Sequence, residues 1–306
     1  MASTDLELCC ASCGIAEVDE IKLKTCACKL VRYCSVKCQK EHRSQHKMGC
    51  KKRVAELRDE ILFKQPESSH LGDCPICCLP LTLDPKNSMM MACCSKLICQ
   101  GCNYANKSRE MEERMEHKCA FCRKPRTFTQ ADAELNATKR IEANDPVAIR
   151  EKGKRLCVVG DHGRSAFEYY TRAAGLGDAT SHYQLSAIYM EGRCVEQNVK
   201  KAICHSEEAA IFGHPTSRHN LGVYELTHGR IDRAMKHFII AANLGFEPSI
   251  VKLRGCYERG LISKEDFAAA LRAHQAAVDA TKSPQRETEA AERGKYVSGR
   301  GKTLYK

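Results

Sequence analysis

Between positions 74 and 122 the chain sets Cys-x-x-Cys pairs at 74/77, 99/102 and 119/122, with adjacent Cys93 and Cys94 after the first pair. A thiolate pair two residues apart grips one Zn²⁺ from a tight turn, and four thiolates close its tetrahedral shell. Four pairs in succession therefore supply two closed metal sites. Upstream, Cys10, Cys13, Cys26, Cys28, Cys34, Cys38, His46 and Cys50 add seven thiols and one imidazole, enough for two more. Each shell is complete in protein ligands and leaves no position for a water. The expected role of four Zn²⁺ is therefore structural, and no residue is assigned to catalysis. Cys9 is spare, and His42, four residues after Cys38, is an alternative to His46.

These ligands need elements to hold them. Ligands four apart (Cys34/Cys38 and His46/Cys50) fall on one helix face, which suits a short helical hairpin. Val54, Leu57, Ile61 and Leu62 sit at helical spacing, so a helix runs on from Cys50 and stops before Pro66. QPESSHLGD (65–73) is a linker by its Pro, Ser and Gly content. The Ala/Leu/Glu-rich run 131–144 is helical. From 145 the character changes. Ala174, Ala210 and Ala242 are 36 and 32 residues apart, and Gly177, Gly213 and Gly245 keep the same steps, as do Leu185, Leu221 and Leu253. Small residues let two helices approach closely, and the glycine ends one of them. A repeat of this length built as two antiparallel helices is an α-solenoid, spanning 145–280. Gly153 falls in register with Gly222. Cys157, Cys194, Cys204 and Cys256 lack ligand spacing and read as small apolar fillers, and the repeat histidines as surface or capping residues. The tail, 281–306, has few apolar residues and reads as disordered.

Composition bounds the rest. Of 21 cysteines, 17 lie before residue 123, which favours metal ligation over a secreted disulfide framework. The start MASTDLELCC has no signal-peptide character, and no stretch approaches the roughly 20 apolar residues of a membrane span. An intracellular protein, cytoplasmic or nuclear, is expected. The formal charge of +11 is lowered to about +4 once fifteen ligand thiolates and four Zn²⁺ are included. Residues 22–64 carry 13 basic and 4 acidic side chains, but no aromatics interleave as a base-stacking platform. Nucleic acid is not the expected partner, and no membrane is.

The order and spacing of the 74–122 ligands resemble a RING finger of the type that uses eight cysteines. That resemblance implies interleaved sites: Cys74, Cys77, Cys99 and Cys102 on one zinc; Cys93, Cys94, Cys119 and Cys122 on the other, with Cys78 the alternative to Cys93. Residues 9–50, above all Tyr33-Cys34-x-x-x-Cys38-Gln39 followed by His46-x-x-x-Cys50, resemble a MYND finger. This implies Cys10, Cys13, Cys34 and Cys38 on one zinc and Cys26, Cys28, His46 and Cys50 on the other. Two departures stand out. One residue rather than two separates Cys26 from Cys28, which suggests a distorted second site. Arg43 replaces the common tryptophan, which departs from the usual peptide groove. The pattern AA-x-x-G, then L-x-x-x-Y, resembles Sel-1-like repeats, relatives of the tetratricopeptide repeat. Together the three resemble a large family of diatoms and related algae.

The expected fold class is thus mostly α: a MYND-like finger (9–50), helix and linker (51–73), RING-type finger (74–125), connecting helix (126–144), Sel-1-like solenoid (145–280) and tail. RING fingers commonly act as ubiquitin ligases. The resemblance implies that Ile76, between the first two ligands, docks a ubiquitin-conjugating enzyme. Arg123, directly after the last ligand, holds the donor ubiquitin, and the solenoid binds the substrate. Ala120 stands where the family usually has proline. The competing expectation is a non-enzymatic adaptor in which fingers and solenoid each bind a protein partner.

Overall fold

The structure is a computed structural model, and it describes residues 9–18, 20–126, 129–158 and 163–301, with side chains as far as 294. The chain forms two compact units, residues 1–64 and 65–306.

In the first unit, strands β1 (Lys24–Thr25) and β2 (Arg32–Tyr33) pair antiparallel and are followed by helix α1 (Val36–Leu62). The Ser35 hydroxyl caps α1 by accepting from the Cys38 amide at 3.2 Å. The expected short hairpin is instead one continuous helix of 27 residues. No proline interrupts residues 38–50, so the helix passes through the metal-binding stretch unbroken. A small core of Cys10, Leu23, Tyr33 and Cys38 sits beneath it. So small a core supplies little stability without metal.

The second unit opens with residues 65–73, expected as a linker. They pack on the repeats instead: the His70 amide donates to the Gly213 carbonyl at 3.0 Å. A short 3-10 turn (Pro85–Asn87) leads into the antiparallel pair β3 (Ser88–Met91) and β4 (Lys96–Cys99), and then helix α2 (Gln100–Glu112). Helix α3 (Gln130–Glu142) connects to the repeats: α4 (Pro146–Val158), α5 (Gly163–Gly175), α6 (Ala179–Glu191), α7 (Val199–Ile211), α8 (Pro215–Thr227), α9 (Ile231–Asn243), α10 (Glu247–Tyr257) and α11 (Lys264–Asp279). Successive helices pack on one another, most closely in the pairs α4/α5, α6/α7 and α8/α9.

The repeat period is a packing period. Ala166, Ala202, Ala234 and Ala270 are all buried, at the same 36- and 32-residue steps. Gly177, Gly213 and Gly245 each adopt φ near +80°, which ends the preceding helix without a Cβ penalty. Where helices cross, the residue must be small. A Cβ on Gly222 would lie 2.7 Å from the Phe238 ring, and one on Gly153 3.2 Å from Tyr169 Cβ. At the intermediate crossing, Ser186 and Ser206 hydroxyls meet at 2.6 Å.

Two expectations for the repeats change. Only Cys256 of the four repeat cysteines is buried; Cys157, Cys194 and Cys204 are exposed. Conversely His237 is buried rather than superficial, and His214, though buried, does cap a helix, its Nδ1 accepting from the Ser217 amide at 3.2 Å. The tail is also not disordered where it is described: helix α12 (Pro284–Gly301) packs against α2. Its order comes from polar contacts to the finger rather than from an apolar face. Among the described residues, no helix is long and apolar enough to cross a membrane.

Candidate metal centres

Among the described residues, four clusters of donor atoms converge: Cys10, Cys13, Cys34 and Cys38; Cys26, Cys28, His46 and Cys50; Cys74, Cys77, Cys99 and Cys102; Cys93, Cys94, Cys119 and Cys122. Within each, all donors lie within 4.8 Å of one another. A tetrahedral Zn²⁺ with Zn–S near 2.3 Å requires sulfurs about 3.8 Å apart. Sγ separations of 3.5 Å for Cys13–Cys34, 3.8 Å for Cys77–Cys99 and 3.4 Å for Cys93–Cys122 meet that geometry. His46 Nε2 lies 3.6 Å from Cys26 Sγ and 3.2 Å from Cys28 Sγ. The single residue between Cys26 and Cys28 thus still lets that set converge.

The proton balance of the thiols points the same way. In each cluster one thiol is pulled down while another is pushed up. Burial opposes ionisation of Cys10, but the amides of Cys13, Cys34 and Ser12 outweigh it and bring its pKa to about 6. Cys34 in the same cluster is pushed to about 12, first by its neighbour Cys13. Cys77 falls to about 7, burial being outweighed by the Leu79 amide and the Arg286 guanidinium, whereas burial and its neighbouring thiolates push Cys102 up. Three or four thiols this close cannot all ionise unaided, and a divalent cation removes that conflict. The donor sets therefore fit structural Zn²⁺, held as closed shells.

The local backbone explains which cysteine belongs where. Gly14, Lys29, Cys78, Ser95 and Arg123 each follow a cluster cysteine directly, and each has φ between +54° and +74°. All five are the left-handed residue of a tight turn; the Cys78 amide, for instance, donates to the Cys74 carbonyl at 2.8 Å. Cys78 is therefore the turn residue of its knuckle, exposed and outside the clusters, while Cys93 lies inside one. His42 is likewise elsewhere: its Nδ1 meets the Tyr33 hydroxyl at 3.1 Å, and its ring stacks on His46.

Ile76, on the turn between Cys74 and Cys77, is 41% exposed, and Phe121, on the last knuckle, is 40% exposed. Arg123 Nη1 donates to Asn106 Oδ1 of α2 at 3.4 Å. Sequence reasoning missed Glu110 of α2, which is buried. Its carboxylate accepts from the Lys118 amide at 3.0 Å and from Asn106 Nδ2 at 2.7 Å, fixing the approach to Cys119. Burial opposes its charge, yet the Lys118 amide, His117 and Asn106 outweigh that and lower its pKa. A lone acid in a polar helix gave no sequence cue. Arg286 was missed for the same reason: it lies in the tail and reaches Cys77 Sγ at 3.3 Å.

The MYND finger family model matches residues 10–50. A Sel1 repeat protein from Oxalobacter formigenes is similar over 49% of this chain and 64% of its own, at 26% identity and a TM-score of 0.42. A protective antigen of uropathogenic Escherichia coli with an SLR fold is similar over 48% of this chain and 34% of its own, at 22% identity and a TM-score of 0.41. The chain thus spans less than two thirds of the length of either structure. No curated protein matches it.

Proposed function

We propose that this protein is a RING-type ubiquitin ligase whose helical repeats bind the substrate or a partner protein. The observation that carries the reading is the second finger. Its two closed clusters interleave along the chain and pin the Cys74–Cys77 turn, on which an isoleucine stands exposed. A ligase of this kind supplies no nucleophile. It holds a charged conjugating enzyme so that a lysine reaches the thioester, which is catalysis by positioning. Ile76 would bury its side chain on the conjugating enzyme, and Arg123 would restrain the donor ubiquitin. The zinc ions would keep both turns rigid and take no part in the transfer. Residues 10–50 add a second protein-recognition module.

The alternative is a zinc-finger and helical-repeat adaptor without transfer activity. The bond from Arg123 to Asn106 favours it, since that guanidinium already has an internal partner. An autoubiquitination assay on zinc-loaded protein, with a panel of conjugating enzymes, separates the two. Chains that form with the parent and fade with Ile76→Ala and Arg123→Ala support the ligase. Loss with Ile76→Ala alone removes the role given to Arg123. No chains with any enzyme leave the adaptor.

A further inference from the structure

Helix α12 reaches one metal cluster directly. Arg286 Nη2 donates to Cys77 Sγ at 3.3 Å and to the Leu79 carbonyl at 3.1 Å. Its Nη1 donates to the carbonyls of Pro80 and Thr281, both at 2.7 Å. Around this contact, Gln285 Nε2 donates to the Gly101 carbonyl at 3.2 Å, and Arg293 donates to the Lys86 carbonyl and Asn87 Oδ1, both at 2.6 Å. The approach is close: a Cβ on Gly101 would lie 3.0 Å from Arg286 Cα. One guanidinium thus ties the chain from Cys77 to Pro80 to a helix some two hundred residues later.

We propose that Arg286 is the outer-shell partner of the Cys74/Cys77/Cys99/Cys102 zinc site. Docking of α12 through it sets how firmly that one site keeps its metal and how reactive the Cys77 thiolate is. The planar fork suits the task. One edge bonds the thiolate, withdrawing electron density from the sulfur, while other N–H groups hold the carbonyls of the same turn. The turn cannot swing outward to release Cys77 while these bonds stand. Outer-shell partners of this kind change metal affinity by about 10–100-fold. The inference goes beyond the ligase reading and does not depend on it. The same turn carries Ile76, so its rigidity would serve conjugating-enzyme docking if that reading holds.

The test uses the zinc-loaded full chain beside Arg286→Ala and Arg286→Lys. Zinc transfer to a chromogenic chelator is followed in time, and alkylation by N-ethylmaleimide is mapped by mass spectrometry. Arg286→Ala should release one of four zinc ions about tenfold faster or more, with Cys77 labelled earliest among the cluster cysteines and the other three sites unchanged. Arg286→Lys should fall between, because a single ammonium bonds the thiolate without bridging the carbonyls. In cobalt-loaded protein, the sulfur-to-metal charge-transfer band should move to lower energy in Arg286→Ala, which a purely structural role would not produce. Release and Cys77 labelling at parental rates would overturn the proposal, as would equal acceleration at all four sites. None of these readouts involves ubiquitin, so they stand whatever the ligase assay gives.

Discussion

Acidification should destabilise the repeats through His214. This side chain is buried, stacks on Tyr183 at 4.7 Å and caps α8: its Nδ1 accepts from the Ser217 amide at 3.2 Å. A ring nitrogen that accepts must be unprotonated, so the cap requires neutral imidazole. Burial, with smaller contributions from His70 and Arg150, lowers its pKa to about 3. The unfolded chain titrates near 6.5, so below that pH the unfolded state binds the extra proton and stability falls as pH falls. Between pH 7.5 and 5.5 this single group should remove about 1.4 kcal/mol. His70, lowered to about 4 chiefly by burial, should remove a similar amount. The assay is chemical unfolding of the parent and His214→Asn at both pH values. Asparagine keeps an oxygen acceptor for the cap and does not titrate. Its lost volume lowers stability equally at both pH values and cancels from the comparison. The parent should lose about 1.4 kcal/mol more than the variant on acidification. Equal losses, or a larger loss in the variant, would refute a neutral, capping His214.

Packing and metal binding give further outcomes. Gly222→Ala gains about 1 kcal/mol of helix propensity, but its Cβ would meet the fully buried Phe238 ring at 2.7 Å, and overpacking of this kind costs about 1–3 kcal/mol. It should lower the unfolding midpoint, whereas Gly255→Ala, with nothing within 4 Å, should raise it. Cys94→Ser should cost the second finger one zinc and leave Cys119 and Cys122 open to alkylation, measured by metal content and peptide mapping. Cys78→Ser should leave the metal content at four, because Cys78 lies outside the clusters.

The convergence of the donors was legible because a metal-binding spacing is one that chain geometry enforces. The choice between Cys93 and Cys78 was not, because both satisfy the spacing. The backbone separates them, since Cys78 occupies the left-handed turn position after Cys77. The repeat was readable from Ala174, Ala210 and Ala242, whose size is set by helix–helix contact. The burial of His214 and His237 was not, because histidine carries no periodic signature of its own. Helix α12 was least legible. Its order rests on Arg286 and Arg293 reaching backbone carbonyls about two hundred residues away, and such carbonyls leave no mark in a sequence.

The most direct test of the proposed function is single-turnover discharge of ubiquitin from a charged conjugating enzyme onto free lysine. Zinc-loaded protein should accelerate discharge, and Ile76→Ala, with its four zinc ions retained, should abolish the acceleration. Discharge at the background rate with every conjugating enzyme tried, from protein holding all four zinc ions, would contradict the ligase.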